Sequence, residues 1–169
     1  MPDETPVLER LTLAGIAAAL ACGGAPAADR VAARPGIRFE PASVTPGTRI
    51  GVLTVDSISA TVAMDSSHVG TARFRGEIEL SGATLRNPDP DLGQQLTCFE
   101  ADSASAARLP RWLGDERRAW FCFSNNDDAA GALGPPSEGA RATIVVDEFT
   151  IHRNLSDAVN SARFRRRLR

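Results

Sequence analysis

Three cysteines, two histidines and a cluster of arginines interleaved with tryptophans are the side chains of this sequence best suited to chemistry. The histidines are His68, which follows Ser66 and Ser67, and His152. A hydrolytic triad could draw on these residues in any chain order, because triads assemble in space. No Gly-x-Ser-x-Gly elbow accompanies them. Histidines exposed to solvent or placed at the core edge are therefore the preferred reading, and no catalytic residue is assigned. Cys98, Cys122, His68 and His152 lack the paired close spacing of a zinc site. The run Asn87-x-Asp89-x-Asp91-x-Gly93 begins like a calcium loop, but its glycine falls one place late and Cys98 stands where the closing glutamate belongs. A polar turn accounts for it better. No metal and no cofactor are expected.

The cysteines point to a compartment. Leu11 to Ala21 carries no charge and ends at Cys22-Gly23-Gly24. That run is too short for a bilayer span, which takes about 20 apolar residues, and suits a signal-peptide core. Ala19-Leu20-Ala21-Cys22 resembles a bacterial lipobox, with alanine where leucine is usual at the first position, so Cys22 is the expected site of lipidation. Asp3, Glu4 and Glu9 outweigh Arg10 ahead of the apolar run, where positive charge is the rule. Cleavage after Ala25-Pro26-Ala27 to give a secreted soluble protein is one alternative, and an uncleaved cytoplasmic chain is another. If Cys22 carries lipid, the remaining Cys98 and Cys122 form one possible disulfide pair. Loss of residues 1–21 removes three acids and one arginine from a chain of net charge −2. The mature chain is then formally neutral, and nothing in that balance attracts nucleic acid.

Arg111, Trp112, Arg117, Arg118 and Trp120 gather around one connection and form the candidate binding surface. Core packing by the tryptophans is the competing account, since aromatic residues make up only 5% of the chain and tyrosine is absent. The tail Arg163-Phe164-Arg165-Arg166-Arg167-Leu168-Arg169 could meet anionic lipid or be a solvated strand end. Every basic residue is arginine, a bias from which no function is read.

These groups need elements to hold them. Residues 1–21 read as a signal peptide and 22–48 as a flexible tether rich in Ala, Pro, Gly and Arg. One domain, residues 49–169, follows. Ile50 to Met64 is rich in β-branched residues and reads as a strand, closed by the turn Asp65-Ser66-Ser67. From Ala72 to Leu85, Phe74, Gly76, Ile78, Leu80 and Gly82 alternate with Arg73, Arg75, Glu77, Glu79 and Ser81. Such alternation puts one face on a core and the other in water, and the glycines suit strong curvature or close backbone approach. Leu96-Thr97-Cys98-Phe99-Glu100 and Trp120-Phe121-Cys122-Phe123-Ser124 share a cysteine beside an aromatic residue. On neighbouring strands the two thiols could close a loop of about 25 residues, worth roughly 3.5 kcal/mol. A helical turn with a serine cap is expected between Asp102 and Leu109, and one short capped helix within Asn125 to Pro136, where acids and alanines are followed by Gly-Pro. Strands return at Ala140 to His152 and Val159 to Phe164.

The order of Phe74-Arg75-Gly76-Glu77-Ile78-Glu79-Leu80-Ser81-Gly82, Phe121-Cys122-Phe123, a short helix ending at Leu133, Gly139-Ala140-Arg141-Ala142-Thr143-Ile144-Val145-Val146 and a closing strand resembles the tRNA_anti-like proteins. These are small, often exported bacterial OB-fold domains, and the resemblance covers about residues 69–164. This chain adds the strand at Ile50 to Met64, Cys98 and the Ala101 to Arg118 connection, and it has Asp147-Glu148 where a glycine is common. The resemblance implies a fold and not tRNA binding. The expectation is a mainly β protein, an OB-like β-barrel of about five to six strands with one or two short helices. Its expected role is that of a lipid-anchored module of the bacterial cell envelope, facing the periplasm or exterior. It would bind a protein or envelope polymer, without catalysis. Capture of an oligonucleotide or oligosaccharide is the alternative.

Overall fold

The computed structural model describes residues 35–62, 68–89, 94–134, 139–154 and 159–169. The expected signal peptide, Cys22, the turn at Asp65-Ser66-Ser67, the His68 side chain and most of the acidic run near Asp91 lie outside these residues.

Ten strands are described: β1 (Ile37–Phe39), β2 (Arg49–Ile50), β3 (Leu53–Val62), β4 (His68–Arg75), β5 (Ile78–Asp89), β6 (Gln94–Ala101), β7 (Pro110–Trp112), β8 (Trp120–Phe123), β9 (Arg141–Arg153) and β10 (Asn160–Arg167). Two short helices join them, α1 (Ser103–Ala106) and α2 (Asn126–Leu133). Following the pairings around, β5 meets β6, β6 meets β8, β8 meets β10, β10 meets β9, and β9 returns to β5. The ring is a closed five-stranded barrel. Within it only β8 and β10 run parallel, and α2 lies between β8 and β9 in sequence. This is the OB-like barrel that the sequence predicts.

Strand β9 is long enough to serve two sheets. Its Arg141–Val146 half pairs with β5, and its Thr150–Arg153 half pairs with β4. The antiparallel β3–β4 hairpin thus leaves the barrel as an arm, with Leu53, Val55, Ala72 and Phe74 buried at its base. The change of partner falls at Asp147-Glu148, where the register against β10 slips and Glu148 takes φ 49°. That is the left-handed region which favours glycine.

The Ala72–Leu85 alternation holds in the structure, with Phe74, Ile78 and Leu80 buried and Arg73, Arg75, Glu77 and Glu79 exposed. It spans two strands, however. Gly76, at φ 115°, breaks the run so that β4 belongs to the arm and β5 to the barrel. Gly82 marks a close approach: a Cβ there would stand 2.1 Å from the Glu100 carbonyl oxygen across the β5–β6 pair.

Aromatic residues are few but concentrated. All seven phenylalanines are buried, and ring contacts connect them in one network. Phe39 meets Phe74, Phe74 meets Phe149, Phe149 meets Phe121, and Phe121 meets Phe99 and Phe123, which reaches Phe164. Four of these contacts are edge-to-face, and such pairs contribute about 0.5–1.5 kcal/mol each beyond area burial. Phe39 lies within the segment the sequence assigns to the tether. Residues 37–43 instead form β1 and a 3-10 turn, with β1 paired in parallel to β7. Composition conceals this segment because its one deeply buried ring is isolated among Pro, Gly and Arg.

Helix α1 also differs in detail from expectation. Its cap is Asp102, whose carboxylate accepts from the Ser105 amide at 2.9 Å, rather than a serine. Ser105 is buried and accepts from the Ser81 amide at 2.8 Å, which ties the helix to β5. At α2, the Asn125 side chain makes no cap bond. It clamps β10 instead, donating to the Phe164 carbonyl at 2.9 Å and accepting from the Phe164 amide at 2.8 Å.

Candidate functional site

Cys98 and Cys122 are opposed in the β6–β8 register and joined by a disulfide, with Cα atoms 3.9 Å apart. Phe99 and Phe121, the neighbouring opposed pair in the same register, point into the core. By alternation the cysteines face away from it, and both are buried.

The arginine and tryptophan cluster does not form one open surface. Trp112 is wholly buried and belongs to the core. Arg111, 7% exposed, donates to the backbone carbonyls of Pro35 at 3.1 Å, Asp115 at 2.9 Å and Arg117 at 2.7 Å. Its guanidinium holds the 113–119 connection in place, and burial draws its pKa below the ordinary arginine value, against the opposing charges of Asp115 and Glu116. Arg117 grips Asp115 through Nε at 3.0 Å and Nη2 at 2.9 Å. Burial raises the Asp115 pKa, but the hydrogen bonds and charge of Arg117, helped by Arg111, outweigh it and leave the carboxyl below its usual value. Arg118 pairs with Glu100, its Nε 2.7 Å from Oε1. Of the five residues, Arg118 is exposed and Trp120 half-buried. All three residues of β7, Arg111 and Trp112 among them, are buried, whereas Trp120 falls on the face of β8 opposite the core residue Phe121.

The basic tail is β10. Arg163 pairs with Glu148 at 2.9 Å, Arg165 with Asp147 at 3.4 Å and Arg166 with Glu77 at 3.3 Å. Carboxylates from β9 and the β4–β5 break thus offset its charge.

A cleft of about 460 Å3 opens where the arm meets the barrel. Arg73 and Arg75 of β4 and Asp56 of β3 line one side, and Thr150 and His152 of β9 with Ser161 of β10 line the other. The register creates this arrangement: Arg73 is opposite Thr150 across β4–β9, and Thr150 is opposite Ser161 across β9–β10. His152 Nε2 and Ser161 Oγ share a hydrogen bond at 3.3 Å. Burial, then the charges of Arg73 and Arg117, push the His152 pKa below the ordinary imidazole value. Among the described residues no carboxylate is hydrogen-bonded to His152, and the flanking arginines oppose the protonated state a general base passes through. Sequence reasoning singles out His152 but treats Arg73 and Arg75 as a solvated strand face. Only the strand register brings the three together.

Among the described residues no group of three or more His, Cys, Asp or Glu could hold a metal ion. None of the described helices is long and apolar enough to cross a membrane. Fold and site together define an OB-like barrel with a disulfide and a polar cleft. No protein-family model matches the chain, no curated protein matches it, and no solved structure matches it.

Proposed function

We propose that this chain is an exported module of the bacterial cell envelope, tethered by lipid at Cys22, that binds a protein or envelope polymer without catalysis. The observation that carries this reading is the Cys98–Cys122 disulfide. Structural disulfides belong to oxidising compartments, and pairing these two thiols leaves Cys22 as the one cysteine free to take lipid. Kinship with the tRNA_anti-like proteins is part of the same proposal. A neutral mature chain argues against nucleic acid as the partner. The cleft at Arg73, His152 and Ser161 is the proposed binding site.

The test is intact-mass analysis of the membrane fraction under non-reducing conditions. The expected species begins at Cys22, carries a diacylglyceryl group and is two hydrogens lighter than the dithiol. A chain beginning just after Ala27 without lipid would overturn the tether and keep export. A chain retaining residues 1–21 with free thiols would overturn both.

One observation favours the second reading, capture of an oligonucleotide or oligosaccharide. Trp120 is half-buried beside the Arg118–Glu100 pair on the outer side of β6–β8, the region through which OB domains bind oligomers. That reading requires Trp120→Ala to abolish retention of single-stranded DNA or glycans in a filter assay.

A further inference from the structure

We propose that the cleft between the arm and the barrel binds a phosphate group, held by the guanidinium groups of Arg73 and Arg75 and by the Ser161 hydroxyl. The inference deepens the binding reading above and rests on it for the assignment of this cleft as the site.

Arg73 and Arg75 stand two residues apart on β4, so their side chains leave the same face. Among the described residues neither guanidinium has a hydrogen bond or an ion pair, whereas Arg38, Arg111, Arg163, Arg165 and Arg166 all do. An arginine fork without a carboxylate, set in a cleft, suits an oxyanion it can hold through two parallel bonds. Two forks and a hydroxyl supply more donors than the two oxygens of a carboxylate use well, and a tetrahedral phosphate matches them better.

The surrounding charges agree. Arg73 and Arg117 make the potential at the His152 imidazole positive, and its neutral ring can accept from Ser161 or donate toward a ligand oxygen. Two acids line the same cleft. Glu148 is tied to Arg163 at 2.9 Å. Asp56 on β3 is without a described partner and opposes an anion, which provides a test of sign: its neutralisation should strengthen binding.

The experiment is a titration of the isotope-labelled full chain, followed by the amide resonances of Arg73, Thr150, His152 and Ser161. The probes are inorganic phosphate, glycerol 3-phosphate, and vesicles of phosphatidylglycerol against phosphatidylcholine. Saturable shifts with both small phosphates are expected. Arg73→Gln and Arg75→Gln should each weaken binding about tenfold, Asp56→Asn should strengthen it, and Arg167→Gln on the tail should leave it unchanged. Both cleft arginines are exposed, so a dispersed spectrum for each variant separates lost binding from lost fold. If phosphatidylglycerol vesicles also compete for the site, the phosphate comes from a lipid headgroup. If only the small phosphates bind, it comes from a soluble or polymer-borne ester. Shifts that do not saturate, that respond equally to Arg167→Gln, or that appear with vesicles alone overturn the proposal. Its failure beside a lipidated, disulfide-bonded mass would leave the envelope reading intact. Phosphate binding beside a membrane-fraction mass that lacks lipid would remove the tether alone.

Discussion

Cys122 of β8 is in register with Ser161 of β10, so the disulfide stands beside the serine that meets His152. One row crosses the sheet through Arg73, Thr150, Ser161, Cys122 and Cys98, on β4, β9, β10, β8 and β6. The bond fixes β8 against β6, and β8 in turn supports the wall of the cleft.

Reduction should therefore affect both stability and site. The bond closes a separation of 24 residues, for which chain-entropy reasoning gives roughly 3.5 kcal/mol. Urea unfolding with and without reductant, and of the Cys98→Ala/Cys122→Ala variant, should show a loss of this size. The Ser161 and His152 amide resonances should shift as well. A loss below about 1 kcal/mol would mean the strand ladder alone holds β6 to β8.

The two tryptophans should behave oppositely. Trp112 is fully buried, and its truncation to alanine should cost about 3–5 kcal/mol. Trp120→Ala removes a half-buried ring on the outer side and should cost less than about 2 kcal/mol. In the single-tryptophan variants Trp120→Phe and Trp112→Phe, acrylamide should quench the Trp120 emission and spare that of Trp112. Equal quenching of the two would contradict the burial pattern.

How much of this was legible beforehand depends on the distance over which each feature is decided. The alternation around Phe74 and Leu80 is local, because a strand's period of two is written in consecutive side chains, and it locates the buried face correctly. The matched contexts of Cys98 and Cys122 likewise anticipate their pairing. Where the run divides at Gly76 is set by which strand each half meets, and periodicity carries no record of a partner. Trp112 looks like a ligand platform beside Arg111 and Arg117, yet Arg111 directs its donors to backbone carbonyls, those of Asp115 and Arg117 in its own connection and that of Pro35 far away in the sequence. The cleft was least visible. Arg73 and His152 are 79 positions apart in the sequence, and only the β4–β9 register makes them neighbours.

His152 gives a pH dependence with a definite sign. Burial and the charges of Arg73 and Arg117 lower its pKa in the folded chain, so the unfolded chain binds the proton more readily. The contribution to stability is present above the unfolded value of about 6.5 and is lost as pH falls through the folded pKa. Urea midpoints should decline from pH 7 to pH 5 in the native chain, and more steeply than in His152→Gln. Parallel profiles for the two would show that the imidazole is equally easy to protonate in both states.

Glu148 tests whether the bend that divides β9 is built into the backbone. At φ 49° the residue bears a steric cost of about 1–2 kcal/mol that glycine escapes. Its carboxylate returns little, because the pair with Arg163 is 60% and 45% exposed at its two side chains and solvent screens it. Glu148→Gly relieves the strain but adds freedom to the unfolded chain, and the net change should stay within about 1 kcal/mol. Glu148→Val loses the pair and places a β-branched side chain where φ is positive, which only raises the cost. The valine variant should therefore be less stable than the glycine variant by about 1–2 kcal/mol, with Glu148→Gln isolating the ion pair as a control. It should also move the His152 and Ser161 resonances, since the bend directs Thr150 and His152 toward the arm. If valine were tolerated as well as glycine, the positive φ would not be needed to turn β9 from the barrel to the hairpin, and the cleft would owe its shape to side-chain packing instead.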